Sequence, residues 1–283
     1  MNVRNHSFET PGPARLRIEI PNGQIVVTTA ETQVTDVELS APQGDSGACA
    51  WVAEAEIAQI GDEIVVRGPR VSLSLFRSWG PIHARIKTPL GGDACLSIGA
   101  GGIETHGRMG KVTANTGAGA VRLDDCAEAH ARTGAGNVEI ASVTGSVETK
   151  TGAGRVTVGK VGGNLRVATA AGNAKVGDIA GWGKFTTAHG NVEVDRAGDG
   201  LDVFTASGNV EVHRADRGRV RAKTVSGRVT VGVPTGVAAL LDISTLSGRV
   251  HSDLAASGAP GDDEAQVELI LSTVSGNVNV ARA

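Results

Sequence analysis

Hydrophobic and polar positions alternate along most of this chain, and from Gly101 onward the alternation itself recurs. The recurring phrase is a threonine, two residues, a glycine, one polar residue, and then two aliphatic residues separated by one. It reads Thr-Gly-Ala-Gly-Asn-Val-Glu-Ile from Thr133, Thr-Gly-Ala-Gly-Arg-Val-Thr-Val from Thr151, and Thr-Ala-Ser-Gly-Asn-Val-Glu-Val from Thr205. The anchor glycines are Gly101, Gly119, Gly136, Gly154, Gly172, Gly190, Gly208, Gly227, Gly248 and Gly276. They fall 17 to 19 residues apart as far as Gly227, and then 21 and 28 apart. Side chains in a strand alternate between its faces, so positions seven, five and three before each glycine share a face. Leu165, Val167 and Thr169 occupy one such set, and Val156 and Val158 continue it beyond a bend. The intervening columns are polar, with Arg166, Lys184 and Asp202 on one side and Asn137, Asn173, Asn191 and Asn209 on the other. A repeat of this length with glycine at its bends predicts an all-β fold, a single-stranded parallel β-helix (β-solenoid) of about 18 residues per rung.

Residues 1–90 do not keep the period, and we expect them to form an irregular N-terminal β cap with the first irregular rungs. Arg15–Ile20, Gln24–Thr29, Val34–Leu39 and Ile82–Pro89 read as strands. The stretch around Ile20 and Gly23 reads as a rung with isoleucine in the threonine position. Residues 55–67 read as a hairpin turning at Gly61-Asp62, and 42–47 as a loop. Val71–Leu75 alternates cleanly, and 76–81 reads as a loop. Trp51 and Trp79 would supply bulk to the cap. The second region, 91–283, is the solenoid proper, with insertions near 232–236 and 252–265. Its last phrase ends almost at Ala283 and leaves little room for a C-terminal cover, so Asn277 and Val278 are candidate interface residues.

Composition agrees with a thin core. Aromatic residues make up 2% of the chain and tyrosine is absent, whereas pockets and thick cores draw on aromatics. The net charge is -3, without the basic excess that nucleic acid requires. No apolar run is long enough for a membrane-spanning helix, so no membrane insertion is expected. The opening residues lack the apolar region of a signal peptide. The three cysteines, Cys49, Cys95 and Cys126, are too few and too scattered for a disulfide framework. A cytoplasmic protein with reduced thiols is the expectation.

The threonine column comprises Thr116, Thr133, Thr151, Thr169, Thr187, Thr205, Thr224, Thr245 and Thr273. It is in phase with the buried aliphatic columns, so it reads as an internal structural ladder. Its hydroxyls should bond neighbouring hydroxyls or bend carbonyls. Carboxylates do not recur at the turns as calcium-binding repeats require, and the histidines His83, His106, His189, His213 and His251 fall at different rung positions. No metal and no cofactor is expected. Asp124, Asp125, Glu128 and His130 form the best local set for acid–base chemistry, but they fall at a rung corner where solvated charges are ordinary. Trp182 and Phe204 should point outward and are candidates for a small apolar interface.

The phrase Thr-x-[Ser/Ala]-Gly-[Asn/Arg]-Val-x-Val after an irregular start resembles the bacterial β-strand-repeat proteins of unknown function labelled "putative adhesins", in their cytoplasmic form. The resemblance implies a β-helical fold and transfers no catalytic residue. The function expected is that of a non-enzymatic structural or interaction protein, offering polar ladders or a solenoid end to a protein partner or to itself. The alternatives are a β-helical enzyme acting on a polysaccharide, and a surface adhesin.

Overall fold

The repeat becomes a stack of parallel strands in the computed structural model, which describes residues 2–68, 80–254 and 266–283. The alternating stretch expected at 71–75 and Trp79 lie outside those residues, as do most of the loop expected at 76–81 and most of the insertion near 252–265. The chain is a β-solenoid and divides into two compact units, Met1–Ala141 and Ser142–Ala283.

In the first unit the sequence elements are β1 (Asn2–Glu9), β2 (Arg15–Ala30), β3 (Val34–Ala41), α1 (Ser46–Glu54), β4 (Glu56–Ile60), β5 (Glu63–Arg67), β6 (Ile82–Pro89), β7 (Asp93–Ala118) and β8 (Val121–Ala135). The long strand β2 is a complete rung. It lies parallel to β7 with Ile20 opposite Ile98 and Gly23 opposite Gly101, as the position of Ile20 predicted. On its other side β2 pairs with β5 over Arg15–Ile18 and with β6 over Gly23–Ala30. Antiparallel strands extend this cover, with β4 on β5, β3 on β6 and β1 on β3. Thr10, Thr35 and Thr88 join across the buried layer through hydroxyl contacts of 2.9 and 3.1 Å.

Two elements here differ from the sequence reading. Residues 2–9 form a strand, and 46–54 form a helix. Asp45 caps the helix by accepting a hydrogen bond from the Ala48 amide at 2.8 Å, which satisfies one of the donors that a helix start leaves free. The helix buries Ala48, Trp51 and Val52, so Trp51 does supply bulk.

After β9 (Val138–Val143), the second unit builds two walls of parallel strands. One contains β10 (Val147–Ala153), β12 (Leu165–Ala171), β14 (Trp182–His189), β16 (Gly200–Ser207) and β18 (Gly218–Ser226). The other contains β11 (Val156–Val161), β13 (Ala174–Ile179), β15 (Val192–Ala197), β17 (Val210–Ala215) and β19 (Val229–Val233). Each wall pairs in register, Thr187 opposite Thr205 and Val192 opposite Val210. The bends can only be glycine. Gly208 has φ 155°, and a Cβ there would lie 2.0 Å from the Gly190 carbonyl oxygen. Among the described residues of this unit the apolar core is aliphatic apart from Phe185, which is buried in the rung whose Leu-column position is Gly183, so a large and a small residue share one layer.

The last two rungs do not stack in sequence order. β20 (Ala238–Ser247) and β21 (Val250–Ser252) come first in the chain, but β22 (Gln266–Ser275) and β23 (Val278–Arg282) lie beneath them. β22 pairs with β18 on one side and β20 on the other, and β23 likewise lies between β19 and β21. The chain therefore leaves one rung height open and fills it on its return, which the 28-residue spacing accommodates. Both sides of β22 are covered, so Val267, Leu269 and Leu271 are fully buried.

Candidate functional site

The threonine and asparagine columns turn out to be occupied by the fold. Eight of the nine threonines are buried, and Thr245 is half-buried. Thr116, Thr133, Thr205, Thr224, Thr245 and Thr273 each donate to the anchor-glycine carbonyl of the neighbouring rung, at 3.1 to 3.4 Å. Thr151 donates to Ala153 O within its own rung. Thr169 and Thr187 have buried hydroxyls with no hydrogen-bond partner. In the second unit Asn173 accepts from the Asn191 amide, Asn191 from Asn209 and Asn209 from Arg228, at 2.8 to 2.9 Å. The six threonines bonded to glycine carbonyls and the three asparagines thus hold one rung to the next.

Asp124, Asp125, Glu128 and His130 do not converge. The Asp124 carboxylate accepts from the Gly107 amide at 3.2 Å and faces His106 at 3.6 Å. Glu128 lies 2.8 Å from His130 and 3.3 Å from Lys111. The hydrogen bond with His130 and then that with Lys111 hold the Glu128 carboxyl below its ordinary range. A general acid at neutral pH would need the opposite shift.

By sequence the histidines fall at different rung positions and build no metal set, but in the fold His213 has acidic neighbours. A one-rung step and a two-residue step bring Glu193, Asp195 and His213 together, with ligand atoms within 4.8 Å of one another. Spacing along the chain hides such a set, because the residues meet across stacked rungs. Glu193 already binds the Lys175 ammonium at 2.7 Å, which lowers its pKa, with burial opposing and His213 adding to the effect. A cation here would have to displace that ammonium.

Trp182 and Phe204 are exposed, as expected. They do not form one patch, however, because Trp182 pairs with Gly200 and Phe204 with Thr186, four residues further along β14. That separates them by about 13 Å along the strand. Val278 is fully buried, and Asn277 accepts from the Arg249 amide at 3.0 Å. Neither is at an end, because the last phrase of the sequence fills the penultimate rung.

The end of the second unit's stack among the described residues is β20–β21. Leu241, Ile243 and Thr245 sit above Leu269, Leu271 and Thr273 and face the core, but no described strand lies over them. Leu241 is 37% exposed and Val250 48%. On the outward face of the same strand Leu240 is 69% exposed and Leu246 84%. Leu246 extends an exposed column through Val274 and Val225. A shallow groove of about 480 Å³ beside β21 is lined by Arg228, Arg249, Val250, His251 and Asn279 among others. The sequence did carry a signal for this rung, since Ala-Ala-Leu-Leu-Asp-Ile-Ser-Thr-Leu-Ser places leucine in both columns of one strand, whereas the outward column holds Arg219 and Glu268 in the neighbouring rungs.

A stacked parallel β-solenoid with an internal threonine ladder and irregular strands before β7 defines the class. The chain belongs to the Toastrack DUF4097 family, whose match spans residues 14–281. Among solved structures it is similar to a "putative adhesin" from Parabacteroides merdae, at 11% identity over 99% of this chain and 96% of that one, TM-score 0.44. It is also similar to a "putative adhesin" from Bacteroides fragilis, at 14% identity over 99% and 97%, TM-score 0.36, and to a "putative lipid binding protein" from Parabacteroides distasonis, at 11% identity over 99% and 96%, TM-score 0.39. A comparison with curated proteins finds no match. No helix among the described residues is long and apolar enough to cross a membrane.

Proposed function

We propose that this protein is a non-enzymatic interaction module that binds a protein partner, or itself, through the β20–β21 rung. What carries this reading is an apolar surface beside a strand edge that no other described strand pairs. Exposed leucines on a ten-residue strand are costly in water, and their burial would contribute about 1.5–3 kcal/mol for each side chain fully covered. The outer face of the other rungs suits neither nucleic acid nor a charged polymer. Glu148, Arg166, Lys184, Asp202 and Arg221 lie in register, so the sign changes along the column instead of building one field. Action in the cytoplasm accords with three unpaired cysteines. The buried Cys126 thiol has its pKa pushed up to about 12 by burial and by Asp125, which keeps it inert.

The test is capture with the purified wild type and with a Leu240→Asp/Leu246→Asp variant of unchanged circular dichroism. Loss of the bound species, this chain included, from the variant alone is the expected result. Equal capture by both proteins rejects the rung as the binding surface.

A further inference from the structure

We infer that the occupant of the β20 edge is a second copy of this chain, paired antiparallel about a two-fold axis at Ile243. This rests on the reading of the rung as a binding edge and adds its partner and register.

The β20 edge lacks the usual protection. Natural edge strands are shortened, bulged, or guarded by lysine and proline. β20 has ten residues, no proline, lysine or arginine, and a single charge, Asp242. Among the described residues β22 is its one strand partner, which leaves its other edge unpaired there.

The strand also complements itself when centred on Ile243. In an antiparallel pair, directly opposed residues point to the same face, so the two-fold must fall on a residue. Centred on Ile243, Leu240 of each copy stands opposite Leu246 of the other on the outward face. These are the two most exposed large hydrophobic residues in the described chain. Leu241 stands opposite Thr245 and Ile243 opposite itself on the core face, joining the two open cores. Asp242 meets Ser244. A centre at Asp242 would oppose the two carboxylates directly, which is destabilising. A centre at Ser244 would set Asp242 against Leu246. The axis is normal to the β20 wall, so inward side chains stay inward in both copies, and the interface is isologous and closed.

Head-to-tail stacking on the corresponding rung of the first unit, β2, is excluded. There β2 is occupied on both sides, by β7 and by β5 with β6, so it offers no free edge.

Light scattering over a concentration series should show a transition from 28.7 kDa to twice that mass. The Leu240→Asp/Leu246→Asp variant should weaken dimerisation on the order of a hundredfold. Register is read by oxidation in a Cys49→Ser/Cys95→Ser background. Leu240→Cys mixed with Leu246→Cys should give a disulfide-linked dimer, whereas each alone should not, because opposed Cα atoms lie within about 5.5 Å. A monomer at every concentration overturns the inference but leaves the binding edge standing if the capture experiment succeeds. A dimer unaffected by the Asp pair overturns both. A dimer weakened by the Asp pair but cross-linked by either single cysteine overturns the Ile243 register.

Discussion

Two rungs of this protein have the same repeat and opposite fates. β2 in the first unit and β20 in the second each carry aliphatic residues facing inward and a bend at glycine, Gly23 and Gly248. β2 lies between strands, so Leu16, Ile18, Ile25 and Val27 are fully buried. β20 has β22 on one side, and its inward Leu241 is exposed. The comparison teaches that the repeat specifies a layer but not what covers it. A residue column that is core in one rung becomes surface in another, and the same leucine then changes from a stabilising element to an adhesive one.

The sharpest break of the comparison is at the bends. A Cβ on Gly23 would lie 1.9 Å from the Ile82 carbonyl oxygen, and one on Gly248 1.8 Å from that of Gly276. Gly23 has φ 123° and neighbours on both sides, whereas the Gly248 rung can shift away from its single neighbour. Urea titration should show Gly23→Ala costing more than about 4 kcal/mol and Gly248→Ala about 1–2 kcal/mol. Equal costs would mean that the end rung is held as firmly as the covered one.

Next in size is the core column itself. Leu269→Ala should cost about 3 kcal/mol, because it empties a buried site that collapses poorly. Leu241→Ala directly above it should cost about 1 kcal/mol in dilute protein, where Leu241 is already 37% exposed. The gap should narrow at concentrations where two copies pair, as read by thermal unfolding at two dilutions.

The threonine ladder sharpens the contrast more finely. Thr273→Val should cost about 1 kcal/mol, the worth of its bond to the Gly227 carbonyl. Thr245→Val should cost a few tenths of a kcal/mol, since water can replace its bond at the open end. Thr187→Val should be neutral or stabilising, because the buried hydroxyl has no partner. A cost above about 1 kcal/mol at Thr187 would contradict that geometry.

The smallest effect is a pH dependence away from the rung ends. Burial opposes ionisation of Asp216, but Arg214 and Arg196 outweigh it and hold the carboxyl below its usual range. A depressed carboxylate favours folding above the unfolded-state pKa of about 3.9 and loses that contribution as pH falls through its folded-state value. Asp216→Asn should therefore lower stability at pH 7 by under about 1 kcal/mol and flatten the curve below pH 4. Chemical denaturation at pH 7 and pH 3 measures both, and an unchanged acid limb would show that the guanidinium contacts contribute nothing.

Much of the architecture was legible in the order of residues because a solenoid is built from local rules. The two-residue strand period places Val192 and Val194 inward, and the steric demand at Gly208 permits no side chain. The position of Thr224 beside the bend directs its hydroxyl to a carbonyl. Each follows from geometry within one rung or between neighbours. Even Ile20 was identifiable as a rung residue on that basis. The helix at 46–54 was not, since it has no repeat to echo and is set by Asp45 at its start and by the burial of Trp51.

What the tertiary structure alone decided was the order of the last rungs and the contacts across stacks. A repeat phrase states that two layers fit together, and the layer at Gly276 fits equally against those at Gly227 and Gly248. Only the folded chain shows it lying between them, which buries Val278 and leaves Leu240 and Leu246 outside. The meeting of Glu193, Asp195 and His213 was hidden for the same reason, because neighbours in a stack are about 18 residues apart in sequence. The sequence by itself determined the layer, through side-chain alternation and glycine stereochemistry. The tertiary structure determined which layer is last, because that depends on where a connection returns and not on the phrase it connects.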